Sequence, residues 1–140
     1  MAPGSALVPL LLCERRYGFD LPARPESVGR ARRLMQRRMA EWGLTGDLLD
    51  TAALVVSELF TNAVVHARGD RVVVGLRTAE GVVRISVEDQ GRAADGPQLC
   101  RTPRGEHGRG LLLVDAVSAA WGVESEGRAP GRTVWAELPC

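Results

Sequence analysis

Residues 58–66 read Glu58-Leu-Phe-Thr-Asn62-Ala-Val-Val-His66 and lie near the end of a long helical pattern. Glu58, Asn62 and His66 are spaced four residues apart, so they form one polar stripe along the border of an apolar helix face. That face consists of Leu48, Leu49, Ala52, Val56, Leu59, Phe60, Ala63 and Ala67. The pattern predicts an amphipathic helix over residues 47–67.

Two interpretations of the polar stripe stay open. Helix borders are where polar residues belong, and His66 taken alone is more often a hydrogen-bonded structural histidine than a ligand. Asparagine is nevertheless a poor residue for a helix interior, because its side chain competes for backbone hydrogen bonds. A carboxylate one turn before an amide also forms an oxygen-rich site of the kind that Mg²⁺ prefers.

The segments around this helix predict the fold class. A second amphipathic helix is expected over residues 27–42, ended by Gly43, and Thr45 and Asp47 are available to cap the helix that follows. Strands are expected over residues 14–21, 71–77, 82–88, 121–126 and 133–138, and a short apolar helix over residues 111–120. The order β-α-α-β-β-loop-α-β-β predicts an α+β fold. This would be a two-layer α/β sandwich whose helices cover one face of a mixed, mainly antiparallel sheet.

Length and composition restrict the classes of protein that remain. At 140 residues the chain fits one domain, residues 1–140, with residues 1–12 as a flexible N-terminus. All 18 basic residues are arginine, which excludes a Walker-type phosphate loop and the common protein-kinase fold, since both need a lysine. A formal net charge of +1 argues against a nucleic-acid partner.

Cysteine usage and hydropathy indicate a compartment. The three cysteines, Cys13, Cys100 and Cys140, are widely spaced and form no CxxC motif, which favours a reducing cytoplasm. No segment approaches the ~20 apolar residues of a membrane span. We therefore expect a cytoplasmic protein that does not contact a membrane.

Two further segments contain residues suited to a nucleotide. Val87-Glu88-Asp89-Gln90-Gly91 follows a predicted strand, so Asp89 can turn a carboxylate inward beside a glycine, although an ordinary turn explains the same residues. Gly105-Glu-His-Gly108-Arg-Gly110-Leu-Leu-Leu113 runs into the predicted third helix. Free backbone N–H groups there could face a phosphate, with Arg109 as a bidentate partner; a linker before a core helix is the alternative.

Taken together and in this order, the three segments resemble the N, G1 and G2 boxes of the Bergerat-fold (GHKL) ATPases, which include histidine kinases, gyrase and MutL. The size is most similar to that of the anti-sigma-factor serine kinases of the RsbW type and their small actinobacterial relatives. The resemblance spans about residues 20–138 and includes the closing Gly131-Arg-Thr133-Val-Trp-Ala-Glu-Leu.

The resemblance implies roles for individual residues. Glu58 would be the general base, and Asn62 would coordinate Mg²⁺ on the phosphates of ATP. Asp89 would accept a hydrogen bond from the adenine amine. Residues 92–107 would form the ATP lid. The remaining cofactor-binding candidates are His66, Gly91, Gly108, Arg109, Gly110, Leu111 and, as a contact to the base, Thr133.

Two positions depart from the family pattern. Ala93 stands where the G1 box usually has its second glycine, and Glu106 where the sigma kinases tend to have an arginine. A carboxylate beside phosphates is unfavourable unless an arginine or the metal offsets it.

The expected function is therefore a serine/threonine protein kinase that phosphorylates an anti-sigma factor antagonist and regulates a sigma factor by partner switching. The alternative is an ATP-gated binding module with weak or no catalysis, which sequesters a regulator. A third hypothesis is an orphan catalytic domain of a histidine kinase. The resemblance also implies homodimers, and the arginine-rich helix of residues 27–42 is either a solvated face or a docking surface for an acidic regulator.

Overall fold

The structure is a computed structural model that describes residues 14–66, 69–89, 104–124 and 131–140, with the side chains of 104–110 left out. Residues 1–12 and most of the expected lid lie outside the described residues. The elements are β1 (Arg15–Pro22), α1 (Ser27–Glu41), α2 (Asp47–Val65), β2 (Arg71–Ala79), β3 (Val82–Asp89), α3 (Arg104–Val117), β4 (Ala120–Glu124) and β5 (Arg132–Pro139). This order confirms the predicted α+β fold.

The five described strands form one sheet in the order β1-β2-β3-β5-β4. Every neighbouring pair is antiparallel, so the sheet is antiparallel throughout these strands rather than mixed. The β2–β3 hairpin turns through Glu80 and Gly81, whose φ angles of 55° and 79° are those of a primed two-residue turn. Its tight loop fixes the pairing register of the two central strands.

One face of the sheet is buried and the other is polar. Buried residues alternate along β2, β3 and β5, as period-2 side-chain geometry requires of a sheet covered on one side. The helices supply the other half of the core. The largest fully buried side chains include Phe60 and Leu59 of α2, Met35 and Met39 of α1, and Ile85 and Leu138 of the sheet.

A glycine follows the end of α1, and another precedes the start of α2. Gly43, with φ of 87°, follows α1, and the N–H groups of Gly43 and Leu44 donate to the carbonyls of Ala40 and Met39, both at 3.0 Å. This is a Schellman motif. The expected cap of α2 is wrong: Gly46, with φ of 72°, occupies the N-cap position, and no side chain caps the helix.

The start predicted for the third helix is also wrong. The sequence predicted a helix over residues 111–120, whereas α3 runs from Arg104 to Val117. Gly105, Gly108 and Gly110 therefore lie inside the helix instead of before it. Since each glycine makes a helix interior about 1 kcal/mol less favourable than alanine would, the first half of α3 has a weak intrinsic preference for this conformation.

Helix α2 has the length and hydropathy of a membrane-spanning helix, so the expectation that no segment approaches such a span is wrong. In the structure it is instead the central core helix: Leu54 and Val65 are exposed, whereas most of its apolar residues pack in the core. Seven of them are buried against the sheet and the other helices: Ala52, Ala53, Val55, Val56, Leu59, Phe60 and Ala63.

Candidate functional site

The polar stripe of α2 lies at the edge of the core. Glu58 and Asn62 are half-buried on the border of the helix, and His66, which follows its last turn, is only 6% exposed. The backbone N–H of His66 donates to the carbonyl of Asn62 at 3.2 Å, which continues the helical pattern to the cap. The side chain of His66 is therefore part of the packed interior, as a structural histidine would be.

The chain path brings the end of α2 to one edge of the sheet. Only residues 66–70 separate α2 from β2, a span of at most about 18 Å even when fully extended. The second residue of β2, Val72, pairs with Asp89, the last residue of β3. The C-terminal half of α2 and Asp89 consequently lie at the same end of the molecule.

Asp89 is a buried carboxylate on the helix-covered face of the sheet. Its side chain is 2% exposed, and Oδ2 is fully buried. It lies on the same face of β3 as Val83, Ile85 and Val87, which all point into the core. Asp89 and His66 each take part in an interaction within the chain. A carboxylate at this position is suited to accept hydrogen bonds in a water-poor environment, where they are strongest.

Strand β5 begins beside Asp89. Arg132 is the cross-strand partner of Asp89, and Thr133 is the partner of Glu88. Because side chains alternate between the two faces, Arg132 lies on the inner face with Asp89, and Thr133 lies on the outer face. The register does not bring Thr133 to the candidate site, because β5 places Val134, Ala136 and Leu138 in the core.

A glycine makes this close approach possible. A Cβ atom built on Gly131 would lie 2.7 Å from the carbonyl oxygen of Asp89, a distance that real Cβ atoms do not show. The backbones of Gly131 and Asp89 therefore meet more closely than any side chain would allow. Glycine at position 131 thus allows the start of β5 to lie close to the end of β3.

Helix α3 ends at the opposite end of the sheet. The N–H of Ala119, just after α3, donates to Glu137 at 2.8 Å, and Ala120 of β4 pairs with Glu137, far along β5 from Arg132. With 14 residues, α3 is about 21 Å long, which is long enough to reach from there to the end of the sheet that holds Asp89. Leu111, in the second half of α3, is half-buried and packs on the core.

The helical state of Gly108 and Gly110 changes what these residues can do. In an α-helix that starts at Arg104, the N–H groups of residues 108 and 110 are positioned to bond to carbonyls four residues earlier. They are therefore not the free donors that the sequence predicted for a phosphate. Arg109 lies in the same helical turn, and Gly91 lies outside the described residues.

The residues at this end of the molecule fit a purine nucleotide and a magnesium ion. The buried carboxylate of Asp89 suits an exocyclic amine. Asn62 contributes an amide oxygen, and Mg²⁺ commonly takes one or two protein oxygens and completes its shell with phosphates and water. No group of three His, Cys, Asp or Glu side chains suited to a metal occurs among the residues searched, namely the described part of the chain.

Sequence reasoning missed Arg132. The family pattern drew attention to Thr133, but a shift of one residue along a strand moves a side chain to the other face of the sheet. The signal that identifies Arg132 is the alternation of Val134, Ala136 and Leu138, which fixes the inward parity at position 132.

Comparisons with known proteins agree with this architecture. Residues 21–138 match the family profile described as a histidine kinase-like ATPase domain. The serine-protein kinase RsbW of Oceanobacillus iheyensis is 30% identical over 114 residues, which cover 71% of this chain and 72% of that protein.

Two solved structures show the same fold. The RsbU and RsbW domains of Rv1364c from Mycobacterium tuberculosis match with a TM-score of 0.68 at 22% identity, over 89% of this chain and 32% of that one. This chain thus spans about a third of that longer protein. The SiaB–SiaC complex from Pseudomonas aeruginosa contains a chain that matches with a TM-score of 0.62 at 16% identity, over 98% and 95% of the two chains. The chain belongs to the histidine kinase-like ATPase domain family and is a homologue of the RsbW serine-protein kinase.

Proposed function

We propose that the protein is a cytoplasmic, ATP- and Mg²⁺-dependent serine/threonine kinase that phosphorylates an anti-sigma factor antagonist and regulates a sigma factor by partner switching. The observation that carries the proposal is the position of Glu58 and Asn62. They lie one turn apart on the border of α2, whose C-terminal end reaches the sheet edge where Asp89 is buried. The similarity to RsbW, which is named as a serine-protein kinase, also supports a kinase function.

Each residue has a distinct part in the proposed reaction. Asp89 would accept the base amine, and Asn62 would hold Mg²⁺ through its amide oxygen. Bound ATP supplies the phosphoryl group. Glu58 is half-buried and within one helical turn of Asn62, so it would take the proton of the antagonist's Ser or Thr hydroxyl as that oxygen forms the phosphoester and ADP leaves. Little other chemistry is required, because phosphoryl transfer depends mostly on positioning and charge neutralisation.

A transfer assay tests the kinase. The protein is incubated with labelled Mg-ATP and antagonist proteins encoded near its gene. Wild type should label one antagonist, and Glu58→Gln should lose about 100-fold or more in rate while still binding ATP. Asp50→Asn is the matched control, because Asp50 is an exposed carboxylate in the first turn of the same helix. Bound ATP with no antagonist labelled would contradict the kinase proposal.

A second candidate is an ATP-gated binding module that sequesters a regulator without catalysis. Two features favour it. Gly108 and Gly110 are wound into α3. The sequence also has Ala93 where the family usually has a glycine, and Glu106 where the sigma kinases tend to have an arginine. In cells, Glu58→Ala would then leave regulation intact, whereas the kinase proposal expects regulation to be lost. Acid lability of the transferred phosphate would point instead to an orphan histidine-kinase domain, because phosphohistidine does not survive acid.

The exposed arginines of α1 are the proposed docking surface for the acidic partner. Arg30, Arg33 and Arg37 recur at helical spacing on one exposed face, and none forms an ion pair with a residue that the structure describes. Arg38, by contrast, pairs with Glu41 at 3.1 Å. Like charges three or four residues apart weaken a helix slightly, and an acidic partner would relieve that cost.

Charge reversal tests the docking surface. Arg33→Glu combined with Arg37→Glu should weaken partner binding at least tenfold, with a smaller loss at high salt. Arg77→Glu, on the polar face of the sheet away from the helices, is the control. Unchanged partner affinity in the double variant would remove the docking proposal. The same preparations, measured by light scattering, test whether the chain forms the homodimers expected from its family.

A further inference from the structure

Arg132 occupies a position that the proposed roles leave unused. It is the first residue of β5, and its cross-strand partner is Asp89. Partners directly opposite each other in an antiparallel pair have Cβ atoms about 5 Å apart and point to the same face. The side chain of Arg132 therefore begins beside the buried carboxylate, on the inner face of the sheet.

The donor nearest the backbone of Arg132 is buried and unsatisfied. Nε is inaccessible to solvent and has no hydrogen-bond partner among the residues that the structure describes. A buried donor without an acceptor is costly, and native proteins seldom keep one without a purpose. The position thus calls for an acceptor that the described residues do not supply.

Another half-buried arginine shows how this chain satisfies such a group. Arg84 donates to Glu137 at 3.0 Å, approaches Glu124 at 3.6 Å, and stacks over the Trp135 ring at 4.1 Å. All three partners lie on the polar face of the sheet. Arg132 has no comparable set in the described residues, although it lies on the better-buried face.

We propose that Arg132 determines base specificity by donating its Nε–H to a ring nitrogen of adenine, N1 or N7, that flanks the amine accepted by Asp89. This inference rests on the proposed ATP site. An exocyclic amine beside a ring nitrogen presents one donor next to one acceptor. A carboxylate beside a guanidinium presents the complementary pair, with charge-assisted hydrogen bonds on both sides.

Nucleotide analogues test the contact atom by atom. Calorimetric titrations compare ATP, 1-deaza-ATP and 7-deaza-ATP, which lack one ring acceptor each, in wild type and in Arg132→Met. The variant should bind ATP about tenfold or more weakly. Wild type should bind one of the two analogues more weakly than ATP by a similar factor. The variant should bind that analogue and ATP with equal affinity.

Controls separate this contact from general charge and from folding. Arg71→Met removes an exposed arginine near the same end of the sheet and should leave ATP affinity unchanged. Without nucleotide, Arg132→Met should have a melting temperature equal to or above that of wild type, because an unsatisfied buried donor has been removed. Arg132→Thr, which places a strand-compatible residue there, should repeat the loss of ATP affinity.

Three results would overturn the inference. The first is unchanged ATP affinity in both Arg132 variants. The second is an Arg132 variant whose affinity falls by the same factor for ATP and for both analogues. The guanidinium would then act on the phosphates, which all three nucleotides share. The third is a lowered melting temperature with unchanged ATP affinity, which would make Arg132 a structural residue. A wild type that binds no ATP overturns the proposed function together with this inference, whereas the three results above leave the ATP site in place.

Discussion

Replacing two glycines of α3 should affect stability and nucleotide affinity in opposite directions. Gly108 and Gly110 lie inside a helix that begins at Arg104, where their N–H groups are engaged in helical hydrogen bonds. Binding a phosphate through these N–H groups, as the family resemblance implies, requires the first turns of α3 to unwind. The double variant Gly108→Ala, Gly110→Ala strengthens the helical state and so opposes that change.

The size of the effect follows from helix propensity. Each glycine-to-alanine change favours a helix interior by about 1 kcal/mol, so the double variant stabilises wound α3 by about 2 kcal/mol. If only the unwound form accepts the phosphates, its population falls by a factor of about 30, and the apparent Kd for Mg-ATP rises by the same factor. Urea unfolding measures the stability gain, and calorimetry measures the affinity.

A glycine in α1 provides the matched control. Gly29→Ala makes the same substitution in a helix, and its new Cβ would meet only the flexible ends of the Arg33 and Arg32 side chains, at 3.3 and 3.7 Å. It should change stability by at most ~1 kcal/mol in the helix-favouring direction and leave ATP affinity unaltered. An α3 double variant that folds and binds ATP as tightly as wild type would show that these glycines do not leave the helix on binding.

Two further predictions concern the sheet. Gly131→Ala should destabilise the fold by about 1–3 kcal/mol and weaken ATP binding, because its Cβ would meet the Asp89 carbonyl at 2.7 Å. In the control Gly18→Ala the new Cβ would lie 3.4 Å from the Val74 carbonyl, an ordinary contact, and equal urea midpoints for both variants would contradict the reasoning. The hydrogen bond and charge of Arg71 lower the pKa of Asp20. This pair therefore stabilises the fold at pH values above those at which carboxyl groups ordinarily titrate, and the contribution is lost as the pH falls through the lowered pKa. Arg71→Met should therefore fall further below wild type in stability at neutral pH than at strongly acidic pH, and a pH-independent difference between their unfolding curves would refute the coupling.

Long periodic segments made most of the fold predictable from the sequence. Helix α1 was expected over residues 27–42 and runs from Ser27 to Glu41, and the strand pairs around the β2–β3 turn were also anticipated. These segments bury one face each, so their hydrophobic period reflects the tertiary structure directly.

The parts that could not be predicted depend on tertiary context. Glycine-rich residues 105–110 have a low helix propensity, yet they are wound into the first half of α3, whose later residue Val114 packs in the core. Local preference gave no means to anticipate that start. Asp89 presents a similar limit, since an Asp-Gln-Gly segment predicts a turn equally well, and only the structure shows the carboxylate buried beside Arg132.

The measurement that tests the central claim most directly is a calorimetric titration of the wild-type chain and an Asn62→Ala variant with ATP, each with and without Mg²⁺. Asn62 is half-buried on α2, so its truncation should leave the fold intact, which circular dichroism checks. We predict saturable, Mg²⁺-dependent binding to wild type and at least a tenfold weaker, Mg²⁺-independent interaction with the variant. Wild type that binds no ATP, or a variant that binds it equally well with the same Mg²⁺ dependence, would contradict the account.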